Sequence, residues 1–194
     1  MLQTIFLIVG SYLLGSIPTG LLLAKCAGVD IRTTGSGNIG ATNVYRTLGR
    51  NVGILTLVGD CLKGLIPILV ARKLGLGDTM IAAIGTAAFL GHVYTIFLGF
   101  KGGKGVATAL GVFLGVSPAS VGIAVIIFIA MVAARRYISL GSIIAAVAIP
   151  LLITWLDRRP PIIAMSVIIS LLVIWKHREN ISRLRAGTES KFKA

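Results

Sequence analysis

The stretch Gly99-Phe-Lys-Gly-Gly-Lys-Gly-Val-Ala-Thr108 joins two apolar segments and concentrates glycine and lysine. Backbone N–H groups in glycine turns approach an anion closely and form a nest for it. Lysine adds positive charge, and a helix that begins after the glycines directs the positive end of its dipole to the same place. The stretch therefore predicts a phosphate-binding turn at a membrane face. A flexible loop whose lysines mark the cytoplasmic side explains this stretch equally well when it is considered alone.

The composition predicts a polytopic membrane protein. Of 194 residues, 56% are hydrophobic and 13% are charged, whereas soluble domains are at most about half apolar and about a quarter charged. The formal net charge of +13 comes from basic residues between apolar segments, which favours membrane orientation and anionic ligands over nucleic acid. Cys26 and Cys61 lie far apart without a CxxC pattern, so we expect free thiols and no metal site.

Seven apolar segments predict an all-α fold with seven transmembrane helices in a single membrane-embedded domain, residues 1–194. Their approximate bounds are 2–24, 52–70, 79–98, 106–116, 118–134, 137–156 and 162–175. The first is too long and lacks the basic start of a signal peptide, so we expect it to be retained, with Pro18 and Gly20 bending its end. The fourth is too short for a full crossing unless it extends through the glycine-rich stretch.

The distribution of basic residues predicts the orientation. Of the 19 lysines and arginines, 14 fall on the side that carries the 1–2 loop, the glycine–lysine stretch and the C-terminal tail. Four fall on the opposite side, and Lys63 lies within the second segment. The positive-inside rule then puts the N-terminus outside and the C-terminus in the cytoplasm. All the polar motifs share the cytoplasmic face in this arrangement.

The first polar motif, Gly35-Ser-Gly-Asn-Ile-Gly-Ala-Thr-Asn43, is rich in small residues, hydroxyls and amides. Its glycines permit a tight backbone wrap, and its side chains offer hydrogen bonds to phosphate or hydroxyl oxygens. Arg46 adds a planar group suited to phosphate. A capped amphipathic helix that begins near Asn38 or Thr42 is the alternative, and we favour the functional interpretation.

The tail contains His177 and Asn180, which share a face if the seventh segment continues as a helix. His177 is suited to act as a base near neutral pH, and Asn180 to orient a hydroxyl or stabilise an oxyanion. An interfacial helix whose basic residues bind lipid head groups is a comparable interpretation.

Asp60 and Lys63 lie inside the second segment at i,i+3 spacing. Charges in a membrane usually pair or mark function. We expect a structural ion pair, with a functional role as the alternative.

Three long motifs give a specific resemblance. The stretches 36–46, 91–108 and 177–189 resemble the three signature motifs of the bacterial acyl-phosphate:glycerol-3-phosphate acyltransferases, the PlsY family. The chain length and the seven-segment layout are also similar, so the resemblance covers essentially the whole chain. Thr95 stands where many members have proline, and we expect this departure to leave the chemistry unchanged.

The resemblance implies transfer of an acyl group from acyl phosphate to the 1-hydroxyl of sn-glycerol 3-phosphate. The products are 1-acylglycerol 3-phosphate (lysophosphatidate) and phosphate, and the reaction needs no cofactor. The implied partners are acyl phosphate, glycerol 3-phosphate, lipids of the bacterial cytoplasmic (inner) membrane and the enzyme that supplies acyl phosphate, with no nucleic acid. The expected catalytic residues are Ser36, Arg46, Lys104, His177 and Asn180. The expected substrate-binding residues are Gly37, Asn38, Gly40, Thr42, Asn43, Gly102, Gly103 and Gly105.

Two other classes of protein are compatible with parts of the sequence. A transporter or channel for an organic phosphate would use Asp60, Lys63 and a partial helix as a broken-helix site, although no repeated half is evident. A purely structural membrane protein leaves three glycine-rich motifs on one face unexplained. No Ser-His-Asp order, metal-ligand cluster or HxxxxD acyltransferase box is present.

The orientation predicts where single cysteines react in intact cells. In a background that lacks Cys26 and Cys61, cysteines at Thr34, Gly102 and Thr188 should react only with a reagent that reaches the cytoplasm. Reaction of any of them with an impermeant reagent added outside would reverse the predicted topology.

Overall fold

The computed structural model describes residues 2–192, and every regular element in this range is helical. Ten α-helices are present, with a 3₁₀ turn at Ile96–Leu98 between α5 and α6. Their bounds are α1 Leu2–Ser16, α2 Thr19–Cys26, α3 Ala41–Leu48, α4 Arg50–Lys73, α5 Asp78–Val93, α6 Val106–Val116, α7 Pro118–Arg135, α8 Ile138–Leu156, α9 Pro160–Lys176 and α10 Arg178–Arg185. The predicted all-α class is confirmed for the described residues.

Five helical stretches within residues 2–192 are long and apolar enough to cross a membrane, or six if the bent pair α9 and α10 counts as one. The stretch Gln3–Cys26 combines α1 and α2, and α6 is a shorter apolar helix. Large side chains such as Phe6, Ile126 and Trp155 are not covered by protein, as expected for helix faces that contact lipid. Seven full crossings stay a prediction.

The chain divides into two compact units, residues 1–115 and 116–194. In the first unit α1 packs on α5, α3 on α4 and α4 on α5; in the second, α8 packs on both α7 and α9. The expectation of a single domain over residues 1–194 stays a prediction.

Small residues bring the helices of the first unit close together. A Cβ atom on Gly15 would lie 2.0 Å from the Ala88 carbonyl oxygen, and one on Gly91 would lie 2.2 Å from that of Tyr12. Without a hydrophobic force between helices in lipid, close backbone approach of this kind supplies much of the packing energy. The contact fixes α5 against the first span, and the glycine–lysine stretch follows the end of α5.

The first span is interrupted where the sequence predicts it. Helix α1 ends at Ser16 and α2 begins at Thr19. Pro18 has no N–H group to donate to the preceding turn, so the helical hydrogen bonds lapse there. Helix α2 then leads from this break to the loop before α3.

The third candidate span runs from Asp78 to Leu98, close to the predicted segment, but within it α5 ends at Val93 and a 3₁₀ turn follows at Ile96–Leu98. The N–H groups of Gly102 and Gly103 donate to the carbonyls of Val93 and His92, both at 3.2 Å. The last-turn carbonyls are therefore satisfied by a loop that folds back, which replaces the hydrogen bonds a longer helix would supply.

A polar cluster joins the loops at one end of the second unit. Ser117 donates a hydrogen bond to Asp157, and Arg159 donates to the Val116 carbonyl at 2.6 Å. At the other end, the N–H of Phe192 donates to the Arg136 carbonyl at 2.6 Å. The C-terminal tail is thereby held against the turn between α7 and α8.

Candidate active site

The first polar motif is a loop built around the side chain of Asn43, which is 2% exposed. Its amide nitrogen lies 3.2 Å, 3.0 Å and 2.9 Å from the carbonyl oxygens of Ile31, Thr34 and Asn38. Its amide oxygen accepts a hydrogen bond from the N–H of Ser36 at 2.9 Å. Asn43 therefore fixes the shape of the loop, and the direct substrate contact expected of it stays a prediction.

Glycine is required where this loop wraps round Asn43. Gly35 has φ +59°, and a Cβ atom there would lie 2.3 Å from the Asn43 amide oxygen. The wrap leaves the Ser36 side chain exposed at the turn. Asn38 accepts a hydrogen bond from the N–H of Gly40 at 2.8 Å, directly before α3 begins.

Helix α3 positions the remaining residues of this motif. It runs from Ala41 to Leu48, so the motif forms both a loop and the amphipathic helix considered as an alternative. Asn43 and Val44 are buried, Thr42 is half-buried and Arg46 is exposed. The helix therefore anchors the loop with one face and presents the Arg46 side chain on another.

The glycine–lysine segment, residues 99–105, is bound tightly to the end of α5. A Cβ atom on Gly103 would lie 2.3 Å from Nε2 of His92, and one on Gly105, at φ +80°, would lie 2.3 Å from the Phe89 ring. Lys104 is half-buried between these glycines, and Lys101 is exposed. Helix α6 begins at Val106, so its first N–H groups, which lack carbonyl partners inside the helix, follow directly.

Gly102 differs from expectation in two respects. Its N–H and that of Gly103 donate to carbonyls of α5 and so are already bonded within the protein, and the substrate-binding role expected of both glycines stays a prediction. In addition, a Cβ atom on Gly102 would lie 2.0 Å from the His92 carbonyl oxygen, so Gly102 is a poor position for a labelling cysteine. The exposed Lys101 is the better choice.

A shared apolar core brings the first two motifs together inside the first unit. Ile39 of the first motif and its neighbours Ile31 and Val44 lie in one buried cluster with Leu21 and Ala24 of α2. Leu98, next to the glycine–lysine segment, packs against the same cluster. The first two motifs therefore rest on one apolar cluster, and their convergence on a single site stays a prediction.

His177 lies at the junction of α9 and α10, which meet at a bend of 54°. It is 3% exposed, and its Nδ1 lies 2.8 Å from the Val173 carbonyl oxygen. A carbonyl only accepts hydrogen bonds, so Nδ1 carries the proton of this hydrogen bond. The sequence did not anticipate the bend, because the apolar pattern ends just before it.

Glu189 organises the rest of the tail motif. Its Oε1 accepts hydrogen bonds from Asn180 and Ser139, both at 2.7 Å, and Arg183 donates to Oε2 at 2.7 Å. Burial alone raises the pKa of the Glu189 carboxyl, but these three hydrogen bonds outweigh it and lower the pKa from its ordinary value. The carboxylate thus fixes Asn180 and ties the tail to α8.

The sequence missed three organising residues. Glu189 closes the tail motif, but it is nine residues from Asn180 across a turn, so no helical spacing signals their contact. Ser139 lies 50 residues from Glu189 in the chain. His92 was noted only as part of a longer motif. Within residues 2–192, no three His, Cys, Asp or Glu side chains are grouped to hold a metal ion.

The comparisons identify the family. Residues 5–187 match the family described as glycerol-3-phosphate acyltransferase. A protein of that name from Geobacter sulfurreducens is 70% identical over 194 residues, and one from Geobacter metallireducens is 73% identical over 194 residues. Each of these matches covers 100% of both chains.

Solved structures share the fold. The chain is similar to a crystal structure of PlsY (YgiH), an integral membrane glycerol 3-phosphate acyltransferase, in its glycerol 3-phosphate form. The TM-score is 0.95 at 44% identity, with 98% of this chain and 96% of that chain covered. The lysophosphatidic acid form of PlsY gives a TM-score of 0.93 at 44% identity over the same shares.

The Glu189 network predicts a stability that depends on pH. Because the pKa of Glu189 is lowered in the folded protein, its contribution is complete above the ordinary value of 4.5 and is lost as the pH falls through the lowered value. We expect Glu189→Gln to reduce the free energy of unfolding at pH 7 by about 1–2 kcal/mol, since it removes the charge from three hydrogen bonds. The difference from wild type should shrink towards pH 3, as measured by thermal unfolding in detergent.

Glu179→Gln is the matched control, because Glu179 is exposed on α10. Equal effects of the two substitutions would contradict this role.

Proposed function

The chain belongs to the glycerol-3-phosphate acyltransferase family, and from this membership we propose that it takes its acyl group from an acyl phosphate. The acceptor is the 1-hydroxyl of sn-glycerol 3-phosphate, and the products are lysophosphatidate and inorganic phosphate. The protein is an integral membrane enzyme, so the transporter and structural-protein interpretations are set aside. The reaction is the first acylation in bacterial phospholipid synthesis.

One observation carries the phosphate chemistry of this proposal. The loop that exposes Ser36 and the segment that contains Lys104 rest on the same buried cluster of the first unit. The start of α6 follows the segment directly, and a helix N-terminus attracts anions. In the proposed mechanism Lys104 and Arg46 bind phosphate oxygens, with Ser36, Asn38 and Thr42 as further donors. Gly37, Gly40 and Gly105 keep the backbone close.

An acyl phosphate suits this set of groups. Attack of the acceptor hydroxyl on the acyl carbon forms the ester, the bond from that carbon to the phosphate oxygen breaks, and phosphate leaves with the electron pair. Phosphate is already a good leaving group, so a covalent acyl-enzyme is unnecessary. Positioning of the two reactants and stabilisation of developing negative charge supply the acceleration.

In the same reaction, His177 and Asn180 orient the acceptor. The Val173 carbonyl fixes the orientation of the His177 ring, and Glu189 fixes the amide of Asn180. The proton of the attacking hydroxyl passes to a phosphate of the substrate, whose second pKa is close to 6 by analogy with phosphorylated side chains. Both residues therefore act as fixed hydrogen-bonding groups in this mechanism.

The proposed location is the bacterial cytoplasmic membrane, with seven crossings and the polar motifs on the cytoplasmic face. Support comes from the excess of basic residues on that side and from apolar stretches that account for five or six crossings besides the shorter α6. Acyl phosphate carries a long apolar chain, so the surrounding lipid holds the donor, and an enzyme that makes acyl phosphate is the expected partner.

Lys104→Ala tests the phosphate site. Purified wild-type protein should convert synthetic acyl phosphate and glycerol 3-phosphate to lysophosphatidate and phosphate. Lys104→Ala should lose nearly all turnover while it still folds, since a charge-assisted contact contributes about 1.5–3 kcal/mol and more where charge develops in the transition state. Lys101→Ala is the matched control, and it should retain most activity because Lys101 is exposed. Wild-type activity in Lys104→Ala would remove this lysine from the mechanism.

His177 variants distinguish orientation from base catalysis. If His177 orients the acceptor, His177→Gln should retain appreciable activity, and the acidic limb of the pH–rate profile should remain. If His177 is the base, His177→Ala and His177→Gln should both lose that limb.

Direct transfer also predicts that radiolabelled acyl phosphate without acceptor leaves no stable label on the denatured protein. A stoichiometric label that passes into lysophosphatidate would instead point to an acyl-enzyme, with Ser36 as the candidate nucleophile.

A further inference from the structure

Three ionisable side chains to which the proposed reaction assigns no role form a buried cluster inside the first unit. Asp60 and Lys63 lie on α4, and His92 lies on α5; their exposed fractions are 2%, 4% and 4%. Oδ1 of Asp60 is 2.9 Å from Nζ of Lys63 and 3.7 Å from Nδ1 of His92. The expected ion pair of Asp60 and Lys63 is therefore confirmed, and the His92 ring lies beside it.

The cluster reaches the break in the first span. Nζ of Lys63 donates a hydrogen bond to the Ile17 carbonyl at 2.8 Å. Oγ1 of Thr95 donates to the neighbouring Ser16 carbonyl at 2.6 Å, a bond that proline at this position would lack. Carbonyls at a helix break inside a membrane need such partners because no water is present. Lys63 therefore closes the break and pairs with Asp60 at the same time.

On its other side, the cluster contacts the glycine–lysine segment. The main chain of His92 accepts the N–H of Gly103, and the His92 ring occupies the space that a Gly103 side chain would take. The N–H of Gly102 is bound to the next residue, Val93. The orientation of the His92 ring therefore limits where the backbone on the N-terminal side of Lys104 can lie.

We propose that Asp60, Lys63 and His92 are positioning residues for the glycine–lysine segment, a role that rests on the proposed function. Asp60 accepts from Lys63 and faces the His92 ring, and the ring supports the backbone at Gly103. Removing two charges from water costs several kcal/mol, so a buried ion pair is weak evidence for stability alone. An apolar set of similar shape would pack at least as well. Lys63 holds the Asp60 carboxylate on α4, and the approach of that carboxylate to the His92 ring relates the pair to α5 and, through Gly103, to the position of Lys104.

The proposal predicts kinetic damage without a matching loss of stability. A displacement of Lys104 by a fraction of an ångström weakens its contact with phosphate, and misplacement by about 1 Å costs on the order of 100-fold in rate. The double variant Asp60→Asn/Lys63→Met removes both charges together and so avoids leaving one charge alone in the membrane. His92→Gln keeps the main chain and replaces the ring with a smaller polar group.

The experiment compares folding, kinetics and binding in purified protein in detergent. The measurements are gel-filtration profile, melting temperature, kcat and KM for each substrate, and calorimetric affinity for glycerol 3-phosphate. Thr56→Val is the matched control, because Thr56 is buried one turn from Asp60 on α4 and its hydroxyl donates only to the Val52 carbonyl of its own helix. Lys63→Arg, which keeps the charge, tests rescue.

The expected result is a fall of kcat/KM by about 10- to 100-fold in folded Asp60→Asn/Lys63→Met and His92→Gln. His92→Gln should melt close to wild type, whereas the double variant should melt at a lower temperature because the Ile17 carbonyl loses its donor. Thr56→Val should match wild type, and Lys63→Arg should recover part of the activity. Unchanged kinetics in either folded variant overturn the proposal. Failure of both variants to fold overturns it too, because a structural role then accounts for the cluster. If wild type binds glycerol 3-phosphate without transferring an acyl group, the proposed donor is wrong, and the change in affinity between variants still tests positioning.

Discussion

In lipid, each backbone carbonyl and N–H group needs a partner from the protein itself, and this constraint applies wherever a membrane helix is interrupted. The helices are interrupted beside Pro18, after Val93 and at His177. At the first interruption, side chains of Lys63 and Thr95 supply the missing donors. At the second, the N–H groups of Gly102 and Gly103 donate to the last carbonyls of α5. A break in a membrane helix is therefore stable where a second element supplies the hydrogen bonds that the helix has lost.

The first polar motif and the tail motif are each held in shape by hydrogen bonds to one central side chain. Asn43 is hydrogen-bonded to the backbone of the first loop, and Glu189 accepts hydrogen bonds from donors on α8 and α10. A buried amide or carboxylate with most of its hydrogen-bonding capacity used holds a single arrangement, because any other leaves a polar group unsatisfied. The residues expected to contact substrate are thus supported by residues that do not need to touch it.

The sequence predicts the helices well because the spans are determined by local composition. Most predicted segments match helices to within about two residues, and the break at Pro18 follows from proline chemistry. The end of α5 at Val93 was missed, because it depends on Gly102 and Gly103 returning to α5. The supporting roles of Asn43, His92 and Glu189 were also missed, because each depends on contacts that no helical spacing in the sequence signals. Motif resemblance identified the candidate residues, but contacts between distant parts of the chain decide what each one does.

The closure of the first span also sets an order of events during synthesis. The partner of the Ile17 carbonyl is 46 residues further along the chain, and that of the Ser16 carbonyl is 79 residues further. At about 5–20 residues per second, the ribosome needs several seconds to produce them. The first span consequently enters the membrane with its break unsealed, and it completes its hydrogen bonding only after α4 and α5 have arrived. The oldest part of the nascent chain is among the last to reach its final structure.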